Sequence, residues 1–222
     1  MEVFVTGASG WIGSAVVREL LEAGHHVVGL ARSDDSVAAL TAAGVGVRRG
    51  SLDDLDSLRA GVAGADGVVH LAFNHDFSDY AGAGRTERAA VETLATTLEG
   101  SDRPLLVASG LGGLAQGRVS TEHDRPAVTG PDAFRGGSEG LALDFADRGV
   151  RSVGVRFAPT VHGEGDHGFV ATLVGVARAR GASGYVSDGT NRWPAVHRAD
   201  AARARSSTGS PKRASRPARS PR

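Results

Sequence analysis

The sequence predicts an α/β protein built on a doubly wound parallel sheet. Short β-branched runs alternate with amphipathic segments through the first half, and a glycine-rich turn follows the first of those runs. In addition, 41% of the 222 residues are hydrophobic, enough for one sizeable core. Val3 to Thr6 reads as the first strand. A helix from Trp11 to Ala23 follows, with Ile12, Val16, Val17, Leu20 and Leu21 at helical spacing and Gly24 as its stop. His26 to Ala31 is the second strand, and Ser33 or Asp34 caps a helix running through Leu40. Val45 to Arg48 makes a short third strand and Asp53 to Ala60 a third helix, before a fourth strand at Gly67 to Phe73. A long helical pattern covers Tyr80 to Leu98. Pro104 to Ser109 is a buried fifth strand ahead of the glycine-rich Gly110 to Gly117, and its carboxyl end is where open parallel sheets bind ligands. The pattern closes with a helix at Asp132 to Asp147, a sixth strand at Val150 to Ala158 and a helix at Phe169 to Arg180.

The formal net charge of zero hides an asymmetry. All 25 acidic side chains but only 18 of the 25 basic ones precede Arg203, so the body carries −7 and gives no electrostatic reason to expect nucleic acid as a specific partner. From Arg203 the chain reads RARSSTGSPKRASRPARSPR, without apolar periodicity, and is expected to be disordered. The predicted organisation is therefore a domain over residues 1–202 and a basic tail over 203–222. Cysteine is absent, which excludes disulfides, thiolate metal sites and a cysteine nucleophile. No stretch approaches the roughly 20 apolar residues of a membrane span and no export signal opens the chain, so no membrane association and a cytoplasmic location are expected.

The most informative segment is TGASGWIG, placing Gly7, Gly10 and Gly13 directly after the first strand and opening the first helix. Gly7 permits the sharp turn, Gly10 lets backbone approach a pyrophosphate, and Gly13 lets the helix pack closely on the sheet. A phosphate then sits on the helix N-terminus against the amides around Ser9, Trp11 and Ile12. A P-loop is excluded, because no Gly-Lys-Ser/Thr follows.

With Thr6 ahead of a Gly-x-x-Gly-x-x-Gly spacing, the chain resembles the short-chain dehydrogenase/reductase superfamily, most closely its extended or atypical NAD-dependent epimerase/dehydratase branch. The resemblance spans about residues 1–202 and includes HLAF on the fourth strand, VASG at the end of the fifth, RFAPTVHGEGD after the sixth, and WPAVHRADAA at Trp193 to Ala202. It implies a Rossmann-type sheet binding NAD(P), with a small-molecule substrate as partner, and it admits a homodimer. It also implies that Asp66 and the backbone of His70 to Phe73, through Leu71 and Ala72, flank the adenosine and the nicotinamide ribose. At the end of the second strand, where an NAD site places an acidic residue against the ribose 2′-hydroxyl, this chain has Arg32 and Ser33, which favours NADP over NAD. Ser51 and Leu52 stand where the adenine would lie.

The resemblance breaks at the chemistry. The superfamily's Tyr-x-x-x-Lys pair has no counterpart: FRGGSEGLAL sets Arg135 in the tyrosine position and Glu139 in the lysine position, and the single lysine is Lys212. Arg135 stays charged and is a poor proton donor, so it can orient a carbonyl, an anion or a water. Ser109 aligns with the family's carbonyl-binding serine and is the best catalytic candidate, although an ordinary Ser-Gly turn accounts for it equally well. No metal site is expected in HGEGDH, since His162, Glu164, Asp166 and His167 lack i, i+4 spacing; a glycine-rich loop beside the nicotinamide fits better. His70 reads as a satisfied core histidine, and His75 and Asp76 as loop residues within reach of substrate.

The abrupt change after Ala202 suggests a frameshifted or truncated reading frame that has lost part of a C-terminal substrate region. The expected function is an NAD(P)-dependent oxidoreductase acting on a small carbonyl, alcohol or sugar-derived compound. Two alternatives stand beside it: a non-catalytic NADP-binding sensor or scaffold, which the missing Tyr and Lys favour, and an inactive truncated product.

Overall fold

β1 (Glu2–Thr6) lies at the centre of a six-stranded sheet because its side chains alternate between two apolar layers. Val3 and Val5 join one core with Val17, Val27 and Leu40, whereas Phe4 points to the other, among Leu58, Leu94, Leu98 and Leu105. Each fully buried side chain of this size contributes roughly 1.5–3 kcal/mol. The flanking elements follow in order: α1 (Trp11–Glu22), β2 (His26–Ala31), α2 (Asp34–Ala42), β3 (Gly46–Arg49), α3 (Leu55–Ala63), β4 (Gly67–His70), α4 (Tyr80–Leu98), β5 (Pro104–Gly110), α5 (Ser138–Asp144) and β6 (Arg151–Phe157). The computed structural model describes residues 1–75, 77–112, 114, 117–126 and 128–203. Asp76 and the tail beyond Arg203 lie outside the described residues.

All strand pairings in the sheet are parallel, in the order β3-β2-β1-β4-β5-β6. The order reverses direction between β1 and β4, so a crevice opens at the carboxyl ends of those two strands. That topological switch point places the glycine loop after β1 beside the Leu71–Ala72 segment after β4.

Three regions depart from the expectation. The helix expected over Asp132 to Asp147 is broken into a 3-10 turn at Phe134–Gly137, then α5, then a second 3-10 turn at Phe145–Arg148. Arg135, Gly136 and Gly137 have φ of 51°, 62° and 65°, and no α-helix continues through three left-handed residues. A β-carbon on Gly136 would also stand 2.2 Å from the Gly84 carbonyl oxygen of α4, so the break lets two backbones touch. β4 ends at His70 rather than Phe73, because the Ala72 amide turns to the Thr6 hydroxyl at 3.3 Å. A small parallel pair, β7 (Thr160–His162) with β8 (Ala195–His197), follows β6 and was not expected; three-residue strands are too short to show a period.

α6 (Phe169–Arg180) matches its expected limits but buries none of its residues, and α7 (Arg198–Ala202) returns the chain to α1, where Arg203 Nε donates to Glu19 at 2.9 Å. Among the described residues no helix is long and apolar enough to cross a membrane.

Candidate functional site

The glycine loop is built for an anion. Gly7 has φ +70°, and a β-carbon there would meet the Ala72 amide at 2.8 Å; one on Gly13 would stand 1.9 Å from the Gly7 carbonyl oxygen. Only bare backbone therefore lets α1 start so close to both strands. α1 has no side-chain cap on Gly10 and no acidic residue in its first turn, so its first amides and its dipole face outward for a negative group. These features fit the pyrophosphate of a dinucleotide.

The other residues expected at the cofactor are placed as follows. The Ser9 hydroxyl donates to Ser36 at 3.3 Å, and Ser33 donates to the same oxygen at 3.0 Å while capping α2, so three hydroxyls run from the loop to the end of β2. Arg32 is exposed beside them. Asp34, the first carboxylate after β2, is held by Arg49 from the end of β3. Ser51 accepts the Asp53 and Asp54 amides, each at 3.3 Å, and Leu52 packs partly against the core, so both shape a turn beyond β3. Leu71 and Ala72 line the switch point: the Leu71 amide donates to the Thr6 carbonyl at 3.2 Å and Ala72 backs Gly7. Ile12 is half-buried in the first turn of α1.

One expectation is corrected. Asp66 stands before β4, at the edge of the sheet opposite the glycine loop, and accepts the Glu2 amide at 2.8 Å; it cannot flank a nucleotide. The Trp11 amide remains at the start of α1, while its indole, for which nothing was expected, is engaged elsewhere. Its Nε1 donates to the Val161 carbonyl at 2.7 Å, Arg198 stacks 4.2 Å over the ring, and His167 meets it edge-on at 5.5 Å. Trp11 thus ties the loop to β7 and α7 and offers the cofactor only its backbone.

At the carboxyl end of β5, Ser109 is 8% exposed and faces a cavity of about 140 Å³ lined also by Arg88, Gly112, Arg125, Glu139 and Arg156. Glu139 does not replace a lysine in any cationic sense: it is buried and paired with Arg156 of β6, whose Nε donates to it at 2.7 Å. Phe134 lies over Gly110 and Gly112, close enough that a β-carbon on Gly112 would touch its ring at 2.8 Å.

Arg135 is fixed rather than free. Its Nε donates to Glu87 Oε2 at 2.9 Å, a second nitrogen bonds Oε1, and the guanidinium lies 4.4 Å from the Phe73 ring centre. Behind it, fully buried His70 shares a 2.8 Å bond between Nδ1 and the Thr6 hydroxyl, while its Nε2 faces Glu87 Oε1 at 3.9 Å without a hydrogen bond. His70 is therefore only half satisfied, contrary to the expectation. Burial, reinforced by Arg135, drives its pKa down to about 3, so the imidazole is neutral. Because Thr6 Oγ1 already accepts the Ala72 amide, the consistent tautomer has Thr6 donating to Nδ1 and the proton on Nε2, toward Glu87. Burial pushes Glu87 up to about 7 against the pull of Arg135.

Sequence reasoning missed Glu87, Thr6 and Tyr80 as members of this cluster. Glu87 was the readable one: it occupies an apolar-face position of α4 next to Ala83, Ala90 and Val91, and a carboxylate there needs a partner. His162 and His197 meet ring to ring at 5.4 Å, and among the described residues no group of three or more His, Asp or Glu gathers to hold a metal.

Switch-point crevice, glycine cradle and parallel strand order together define a nucleotide-binding Rossmann protein of the short-chain dehydrogenase/reductase kind. The chain belongs to the NAD(P)H-binding family, whose model matches residues 7–127. It is 49% identical over 203 residues to an uncharacterised protein of Schizosaccharomyces pombe, covering 91% of this chain and 68% of that one. The crystal structure of UDP-glucose 4-epimerase with UDP-glucose from Thermotoga maritima superposes with a TM-score of 0.71 at 21% identity, covering 91% of this chain and 71% of the epimerase. MoeE5 in complex with UDP-glucose and NAD gives 0.69 at 26% identity, covering 91% and 70%. The relatives and neighbours of the chain include NAD(P)-binding oxidoreductases and epimerases.

Proposed function

We propose that the protein is an NADPH-dependent oxidoreductase that reduces a small carbonyl compound, free or sugar-derived, or oxidises the corresponding alcohol. The observation that carries this reading is the cradle of Gly7, Gly10 and Gly13 at the uncapped start of α1, with Ser109 at the carboxyl end of β5, the same end of the parallel sheet. When bound, the nicotinamide supplies or accepts the hydride. The protein's own groups bind the pyrophosphate on backbone amides, polarise the carbonyl oxygen through Ser109, and hold a fixed positive charge at Arg135.

The preference for NADPH rests on Arg32 and the Ser9, Ser36 and Ser33 hydroxyls beside it, with Asp34 neutralised by Arg49. A 2′-phosphate finds donors there, and Asp34, the first carboxylate after β2, is already paired with Arg49. A cytoplasmic protein with the nucleotide domain over 1–202 and a basic segment over 203–222 belongs to the same reading, as does a homodimer.

Calorimetric titration with NADPH and NADH in parallel tests it. NADPH is expected to bind at least about tenfold tighter than NADH, Arg32→Ala to erase the difference, and Gly10→Val to abolish both. A folded protein that binds neither nucleotide defeats the proposal.

A further inference from the structure

Reduction of a carbonyl needs a proton for the oxygen as well as a hydride for the carbon, and the titratable groups at the carboxyl ends of β4 and β5 narrow the source. Arg135 holds its protons at any accessible pH, Glu139 is an ion-paired carboxylate, and His70 is buried behind Glu87. A phenol is nevertheless present. Tyr80 opens α4 above the carboxyl ends of β4 and β5, its ring centre 5.8 Å from Phe73 and 6.1 Å from Phe134. Phe73 carries the Arg135 guanidinium, and Phe134 covers Gly110 and Gly112, immediately beyond Ser109. A cavity of about 230 Å³ opens beside Tyr80, walled by Gly84, Ala133, Phe134 and Gly136; it is distinct from the cavity at Ser109 and shares Ala133 and Phe134 with it. The chain's other tyrosine, Tyr185, is 76% exposed in the segment between α6 and β8.

We propose that Tyr80 is the proton-donating side chain of this site, with Arg135 as the cation beside it, so that α4 and the 134–137 turn together assemble a phenol and cation couple. The proposal rests on the carbonyl-reduction reading above. As the carbonyl carbon accepts hydride from the reduced nicotinamide, its π electrons move to oxygen, which takes the Tyr80 proton. The products are the alcohol, the oxidised nucleotide and a Tyr80 phenolate, which regains a proton from water. The Arg135 backbone amide donates to the phenol oxygen, and the Arg135 charge favours the phenolate as it forms. In the resting protein burial outweighs that charge, with Glu87 behind Arg135 adding to the rise, and the phenol is held above its ordinary value, so it is protonated at neutral pH.

With only two tyrosines, the protein labelled with [13Cζ]tyrosine shows two resonances, and Tyr185→Phe assigns them. The Tyr80 resonance is expected to differ between the NADP⁺ and NADPH complexes, because the nicotinamide ring changes charge, whereas Tyr185 stays put. Calorimetry on the same samples keeps the two readings apart: no nucleotide binding sinks the proposed function, but binding with an unmoved Tyr80 overturns this assignment alone. Tyr80→Phe keeps the ring and removes the hydroxyl. With NADPH and phenanthrene-9,10-quinone as the carbonyl probe, its kcat is expected to fall by about a hundredfold or more with KM for NADPH unchanged. Wild-type protein that binds nucleotide but leaves the quinone unreduced counts against carbonyl reduction itself. A Tyr80→Phe protein with wild-type kcat overturns the Tyr80 assignment.

Discussion

Arg135 grips Glu87 as a two-pronged fork, Nε donating to Oε2 at 2.9 Å and a second nitrogen donating to Oε1, and this contact ties the 134–137 turn to the middle of α4. Glu87 is fully buried and Arg135 nearly so. Removing one partner leaves the other charge stranded, so Glu87→Ala is expected to cost about 3–5 kcal/mol in urea unfolding. The double variant Glu87→Leu/Arg135→Met strands no charge and is expected to recover most of that loss. A Glu87→Ala cost below about 1 kcal/mol means the pair is solvated and not built into the core.

The same cluster predicts opposed pH dependences. His70 has its folded pKa lowered from 6.5 to about 3, so its contribution is present above pH 6.5 and is lost as pH falls toward 3. Glu87 has its folded pKa raised from 4.5 to about 7, so its contribution is present below pH 4.5 and is lost as pH rises toward 7. Between pH 4.5 and 6.5 the two slopes oppose. Glu87→Gln removes the falling branch, and its stability relative to wild type should climb with pH by up to about 1.4 kcal/mol per pH unit. His70→Leu should tilt the curve the other way. Parallel curves for wild type and both variants show that neither group is perturbed.

Thr6 is the hinge of hydrogen bonding at the switch point, serving the Ala72 amide at 3.3 Å and His70 at 2.8 Å with one hydroxyl. Thr6→Val preserves shape and leaves a buried amide and Nδ1 without partners. A loss of about 1–3 kcal/mol is expected by thermal or urea unfolding. If the loss is under about 0.5 kcal/mol, water has taken over the role of the hydroxyl.

Much of the fold was legible because β1, β2, β5 and α4 are long, strongly patterned and bounded by Gly, Pro or Asp. The cofactor cradle was legible for a related reason: its glycines lie within seven residues and act through backbone, so local sequence contains the whole device. The chemistry beyond it was not. The Arg135, Glu87, His70 and Thr6 cluster joins four segments far apart in the chain, and the left-handed turn that aims Arg135 contradicts the helical pattern around it. Asp66 was misplaced because a carboxylate's position before or after a strand decides which edge of the sheet it reaches. The Trp11 indole contact was not legible because its partner, Val161, lies on a strand too short to be seen in the sequence.

Two glycines on helices separate packing from propensity. A β-carbon on Gly13 of α1 would stand 1.9 Å from the Gly7 carbonyl oxygen and 2.8 Å from its carbon, both backbone atoms that cannot swing aside. Gly13→Ala must therefore push α1 off the glycine loop, at a cost of about 1–3 kcal/mol, and it should weaken nucleotide binding more than it weakens folding because it spoils the cradle itself. Gly175 sits mid-way along α6, where an added β-carbon would have nothing within 4 Å of it. There only helix propensity acts, and Gly175→Ala should stabilise the protein by roughly 0.5–1 kcal/mol. Unfolding curves and nucleotide titrations on both variants check the contrast. A tolerated Gly13→Ala with wild-type binding would mean that α1 does not lie tightly on the loop, and the phosphate site would have to be sought elsewhere.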